Sequence, residues 1–317
     1  MESKELRCTQ VAFSAVDLEQ KLVWYQALGY LRSGTVIPPP EFPIAELQGL
    51  PESEPTIDFL VDSQEFFQLE IFHFRKPAVK PRALDWRPND IGYNVVVFHV
   101  DDLDVALARL AGVGSLPVGE LIGAAGERRV CVVDPDGVPV ELIESEFRHR
   151  PARLRGNPRP PVACRGIRVS VPDLGRSLSF FAGTLGFERS DRELHRPEHE
   201  ALWGLAGAEV ETATLWAGEI AIELAQYREP AGRGWPDGYL ISDQGVLNLG
   251  LASRDPGVYR EAVAAVERGG YRTDLEVVGE HSKVRYARDD QGFSVELMCV
   301  EPEADRELGY IPLAVEA

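Results

Sequence analysis

The sequence predicts an α+β fold made of four strand–helix–strand–strand–strand modules, arranged as two tandem halves. Three observations predict it. The first is a long-range repeat: QVAFSAVDLEQKLVWYQALGY, beginning at Gln10, returns as GIRVSVPDLGRSLSFFAGTLGF from Gly166. The second is its register, since the offset is 156 residues at Asp17 and Asp173, 153 at Glu70 and Glu223, and 155 at Glu141 and Glu296. The third is that each half divides again, each ending in a hairpin around DPDG or DDQG with a glutamate seven residues after Asp134 or Asp289. A fixed period of this kind marks one supersecondary unit used repeatedly. One such unit leaves an apolar sheet face that another must cover.

Each element has a local cause. The opening strand alternates, and Asp17 or Asp173 then accepts a hydrogen bond from the free N–H groups of the helix that follows. Gly29 and Gly186 supply the left-handed residue that stops that helix. Leu47-Gln48-Gly49-Leu50 returns as Leu202-Trp203-Gly204-Leu205, and the strand around Glu70 returns around Glu223. In the second quarter, Val95 to Phe98 form a strand, Asp101-Asp102-Leu103 begins a helix, and DPDG makes a tight hairpin turn. The last quarter repeats this plan with LNLGLASRD, PGVYREAVAAVERGGY and KVRYARDDQGFSVELMC. The polar, proline-rich stretch 148–161 reads as a linker. The expected domains are 1–150 and 162–317, joined by 151–161.

Composition narrows the function. With 317 residues, 44% hydrophobic and 26% charged, the chain has room for two globular domains. A net charge of −18 argues against nucleic acid, which needs clustered Lys and Arg. No apolar run approaches the roughly 20 residues of a membrane span, and MESKELRCTQ has no apolar core of a signal peptide. A cytoplasmic protein with a small-molecule partner is expected, with a homodimer left open. The four cysteines are scattered and read as buried thiols.

The strand–VxDL–helix–LGF beginnings of quarters one and three, and the DPDG-x3-E and DDQG-x3-E ends of quarters two and four, resemble the vicinal-oxygen-chelate superfamily. That group includes glyoxalase I, extradiol dioxygenases, and bleomycin- and fosfomycin-resistance proteins. The resemblance implies two glyoxalase/extradiol-dioxygenase-like half-barrel domains, each of two modules, curled around a divalent metal held by the first and last strands. Alternate residues of a strand face one side, so one ligand from each of four strands can converge on an ion.

By this resemblance the last-strand ligand positions hold Glu70, Glu141, Glu223 and Glu296, and the first-strand positions hold Gln10, Val95, Gly166 and Asn248. The carboxylate is kept at all four. Histidine stands at none of the first-strand positions. With consecutive modules paired, the implied metal sets are Gln10, Glu70 and Glu141 in one half, and Glu223, Asn248 and Glu296 in the other. A divalent cation, Mg2+, Mn2+, Fe2+ or Zn2+, is the implied cofactor, and such oxygen donors favour Mg2+ or Mn2+ over Zn2+, with a metal-free cavity as the alternative.

His281 and Tyr286 lie in GEHSKVRYARDDQGFSVE (279–296), which partly resembles the extradiol dioxygenase signature. There the spacing after His281 is short, and Arg285 and Asp290 depart from the pattern. Glu223, Glu296, Tyr286 and His281 are the candidate catalytic residues. His195 and His199, in HRPEH, read as a solvated loop. Two functions follow: an enzyme (lyase, isomerase or dioxygenase-like) acting on a substrate with adjacent oxygens, or a metal-free sequestering protein of the bleomycin-resistance type. One half is expected to be working and the other structural.

Overall fold

A computed structural model of the chain describes residues 5–148, 150, 153–154 and 157–313. His149, read as a linker residue, lies outside the described residues. The first module comprises β1 (Arg7–Ser14), α1 (Leu18–Leu28), β2 (Leu31–Val36), a short α2 (Ile44–Gln48), β3 (Glu54–Val61) and β4 (Gln68–Lys76). The second comprises β5 (Gly92–Val100), α3 (Leu103–Gly112), β6 (Arg129–Val133) and β7 (Pro139–Ile143). The connection carries a two-residue ladder, β8 (Arg153–Leu154) with β9 (Asn157–Pro158). The third module has β10 (Val162–Ser170), α4 (Leu174–Leu178) continued by a π turn Ser179–Thr184, β11 (Glu188–Arg189), a 3-10 helix Pro197–Trp203, β12 (Glu209–Ala217) and β13 (Ile220–Glu229). The fourth has β14 (Gly245–Ser253), α5 (Pro256–Arg268), β15 (Arg272–Val278), β16 (Ser282–Arg288) and β17 (Ser294–Val300).

The caps are those the sequence predicts. Asp17, Asp102, Asp173 and Asp255 each accept a backbone N–H in the first turn of the following helix. The second module departs from the common plan. Its first strand after the helix is reduced to a single bridge between Ile122 and Arg129. The stretch GELIGAAGE offers three glycines and no alternation, so a ladder has nothing to hold it.

The strands form two curved sheets, ordered β15-β16-β17-β14-β1-β4-β3-β2 and β11-β12-β13-β10-β5-β7-β6. Module one therefore shares a sheet with module four, and module two with module three. The sheets do not join module one to two or module three to four, the pairing expected from the sequence. The central contacts are antiparallel, β1 on β14 and β10 on β5, so each sheet is stitched across the linker. A continuous apolar core lies between the sheets and the helices, built from residues such as Val11, Phe13, Leu69, Val96, Phe98, Ile167, Leu249 and Leu297. All four cysteines are buried free thiols. No described helix is long and apolar enough to cross a membrane.

Candidate active site

Cross-pairing regroups the predicted ligands. On the eight-stranded sheet, Ala12 of β1 stands opposite Glu70 and Asn248, and Gly250 stands opposite both Gln10 and Glu296. Gln10, Glu70, Asn248 and Glu296 thus belong to one face of this sheet, and Glu141 and Glu223 belong to the other sheet. The two sets of three implied by consecutive pairing are replaced by one set of four and one pair.

In the eight-stranded sheet, Gln10 Nε2 donates to Glu70 Oε2 at 2.6 Å and to Glu296 Oε2 at 2.8 Å, while Gln68 Nε2 donates to Gln10 Oε1 at 3.0 Å. All four groups are buried. Burial, reinforced by the neighbouring Glu296, holds the Glu70 carboxyl well above the usual carboxylate range. Burial also pushes Glu296 up to about 7, against the hydrogen bond from Gln10. Tyr286 lies across the strand pair from Glu296. Burial and then the charges of Glu296 and Glu70 raise its hydroxyl above the usual range. The amides of Gln48 and Asn248 face that hydroxyl, but Asn248 Nδ2 and Oδ1 are both buried without a well-formed hydrogen bond. Phe59, Phe72, Ile57, Leu247 and helix α2 form the apolar wall. The C-terminal segment closes one end, where the Tyr310 hydroxyl meets that of Thr9 at 3.2 Å and Ser33 Oγ donates to the Gly309 carbonyl at 2.7 Å.

Among the described residues, no basic side chain pairs with Glu70 or Glu296. Two carboxylates share one amide N–H2, and a neighbouring amide has no partner of its own. This donor set, two carboxylates with the Gln10 and Asn248 amides, suits a hard divalent cation. Burial and the mutual repulsion of the two groups favour their protonated forms relative to exposed carboxyls.

The seven-stranded sheet has the same frame and a different filling. His195 Nε2 meets Glu141 Oε2 at 2.6 Å and its Nδ1 meets Glu223 Oε2 at 2.6 Å. The ring therefore spans the two glutamates as a cation would. Burial pulls the His195 pKa down, but Glu223 and Glu141 outweigh this and raise it. Arg168 reaches both Glu223 and Glu200, and Arg129 holds Glu141 at 2.9 Å. Arg168 and His195 overcome burial and bring Glu223 down to about 2. Glu200 also accepts from Trp203 Nε1 at 3.0 Å and Tyr227 Oη at 2.8 Å. Leu194 Cδ2 sits 2.9 Å from where a Cβ on Gly166 would lie, so the glycine makes room for this plug.

The repeat shows how the two faces diverged. Arg168 corresponds to Ala12, and the plug residues His195 and Glu200 correspond to Pro40 and Ala45. Large charged groups fill one cavity, and small neutral ones leave the other's carboxylates free. Reading HRPEH as a solvated loop is corrected here, since His195 and His199 are both buried. The available signal was positional, a histidine where the repeat otherwise has proline. His281 is not brought to either cluster. It is half-exposed at the β15–β16 turn, bound to Glu301 at 3.0 Å, because its position before β16 carries it past the sheet's end. Glu223 is held by Arg168 and His195 rather than joined to the Gln10 cluster.

No family model and no curated protein matches the sequence. Solved structures do match the fold. Glyoxalase I from Zea mays superposes with a TM-score of 0.61 at 16% identity, covering 96% of each chain. A dioxygenase-like protein from Bacillus subtilis gives 0.63 at 13% identity, covering 99% of this chain and 92% of its own. The chain has the vicinal-oxygen-chelate fold.

Proposed function

We propose that the chain is a small-molecule enzyme of the glyoxalase and dioxygenase-like group, working at Gln10, Glu70, Asn248 and Glu296, with the Glu141–Glu223 face serving structure. One observation carries this reading: two equivalent faces each present two glutamates, and only one has its positive charge built in by His195 and Arg168. The other face is suited to accept a cation and a substrate with adjacent oxygens. A divalent cation held there by Gln10, Glu70, Asn248 and Glu296 would polarise those oxygens.

The protein's own groups do the rest. Glu296, pushed up to about 7, and Glu70, held above the usual carboxylate range, can take a proton from carbon and return it. The Tyr286 hydroxyl, kept protonated, can donate a hydrogen bond to a developing oxyanion. The Asn248 amide N–H2 is left to orient the substrate, and Phe59 and Phe72 exclude water. Ring cleavage by Fe2+ fits poorly, because the cluster contains no imidazole for a two-His-one-carboxylate triad.

The test combines metal analysis with proton exchange. Mass spectrometry after loading with Mn2+ or Mg2+ should find one ion per chain. α-Hydroxycarbonyl probes in D2O should exchange their α-proton. Glu70→Gln with Glu296→Gln should abolish the ion and lower exchange by about 10²–10⁴-fold, while Glu141→Gln should leave both in place. Retention of metal and exchange in the first variant would overturn the assignment. The second reading, sequestration without a metal, draws on the aromatic wall and the Tyr310 closure. It predicts ligand binding indifferent to chelators and no exchange.

A further inference from the structure

A second cavity, of about 430 Å³, lies apart from the carboxylate cluster, and none of Gln10, Glu70, Asn248, Glu296 or Tyr286 lines it. Its walls are two equivalent segments of the repeat, 80–94 between modules one and two and 233–246 between modules three and four. Trp86 in one corresponds to Tyr239 in the other, and Asp90 to Asp243. The size is that of a small-molecule site.

The polar groups in this cavity are of two kinds, committed and uncommitted. Arg233 is committed, bound to Asp90 at 2.7 Å and to Asp85 at 2.7 Å. Arg82 is not. Its guanidinium stacks on Trp86, with Cζ 3.8 Å from the ring centroid, and its Nη1 is buried without a hydrogen-bond partner among the described residues. Gly245 permits this placement, since a Cβ there would lie 2.1 Å from Arg82 Nη2. The acidic groups whose charges act on Arg82 are Asp134, Tyr239, Asp136 and Asp90. Asp134 and Asp136 are held by Lys21, and Asp90 by Arg233. Asp243 Oδ1 is also buried without a partner, though Oδ2 accepts from the Leu240 N–H at 3.1 Å. Around these two groups, Trp235 and Tyr239 stack with centroids 4.5 Å apart. Trp235 is fixed by its Nε1 bond to the Gln291 carbonyl at 2.9 Å.

We propose that this cavity binds a small aromatic carboxylate, its acid group taken by the Arg82 guanidinium and its ring laid among Trp86, Trp235 and Tyr239. A planar fork with a free N–H matches a carboxylate, and aromatic faces match a flat ring. Asp243 Oδ1 accepts from a hydroxyl or amino substituent on that ring. Burial of an unpartnered guanidinium N–H, here Arg82 Nη1, is unfavourable, and an incoming anion relieves it.

The test uses 4-hydroxybenzoate and its uncharged analogue 4-hydroxybenzamide, followed by calorimetry and by the fluorescence of Trp86 and Trp235. The acid should bind saturably to the full-length chain, and the amide at least about tenfold more weakly. Arg82→Gln should weaken the acid by a similar factor. Gly234→Phe provides a second variant that leaves Arg82 in place, because a Cβ at 234 meets nothing within 4 Å; its ring should block the cavity. Glu70→Gln should change nothing, so failure here is separable from failure at the cluster. Three results would each overturn the proposal: no saturable binding of the acid, unchanged binding in both cavity variants, or loss of binding in Glu70→Gln instead.

Discussion

At the scale of single residues, His195 is the decisive side chain, since it stands between two buried glutamates. Removing it leaves both without their bridging partner, and breaking a buried pair in this way costs about 3–5 kcal/mol. His195→Gln should show that loss in urea denaturation. Its pH signature has a definite sign. The raised His195 pKa means its contribution is complete below about 6.5 and disappears as pH rises through the folded value. Glu223, lowered to about 2, contributes above about 4.5 and loses that contribution as pH falls toward 2. The stability difference between wild type and His195→Gln should therefore be greatest between about pH 4.5 and 6.5 and shrink on the alkaline side. A difference that stayed flat from pH 5 to 10 would contradict the bridging role. The glutamates were legible in the sequence because the repeat places them at fixed distances from a turn. His195 was not, because its partner Glu141 lies 54 residues away in another module.

At the scale of elements, helix α1 docks on the DPDG turn of the next module. Lys21 Nζ lies 2.8 Å from Asp134 and 2.7 Å from Asp136, with all three side chains buried. The third and fourth modules make the same joint with no charge at the matching buried position, where Gln291 Nε2 donates to Ser177 Oγ at 2.6 Å, and Arg176 pairs with Asp290 at the exposed edge. The chain thus contains two solutions to one packing problem. Lys21→Ser should cost about 3–5 kcal/mol by stranding two carboxylates. Adding Asp136→Gln, which copies the other joint, should recover part of it, and denaturant midpoints of the single and double variants decide this. Helix caps and turns were readable because a single aspartate performs a local task. The missing strand of module two was not, since a strand's existence depends on what its neighbours offer to pair with.

At the scale of the whole molecule, the two sheets hold the halves together without help from the linker. The register runs from Arg7 to Ser14 against β14, and from Val162 to Ser170 against β5. A protease site placed within 149–156 should give, after cleavage, two fragments that migrate as one complex in gel filtration and part only in denaturant. Separate species under native conditions would contradict the cross-pairing. The repeat predicted four modules and their order, yet it could not reveal their partners. Modules with alike edges can close against either neighbour, and the choice is made by long-range packing that no local pattern records.

That choice has a temporal side. β5 and β10 belong to consecutive modules, so the inner sheet can close while the chain is still being made. Gln10 and Glu296, hydrogen-bonded yet 286 residues apart, cannot meet until β17 exists. The arrangement is nested like brackets, and the strand made first waits longest for its neighbour. The proposed chemistry would then arise only after the plugged face is set as the platform on which the open one is assembled.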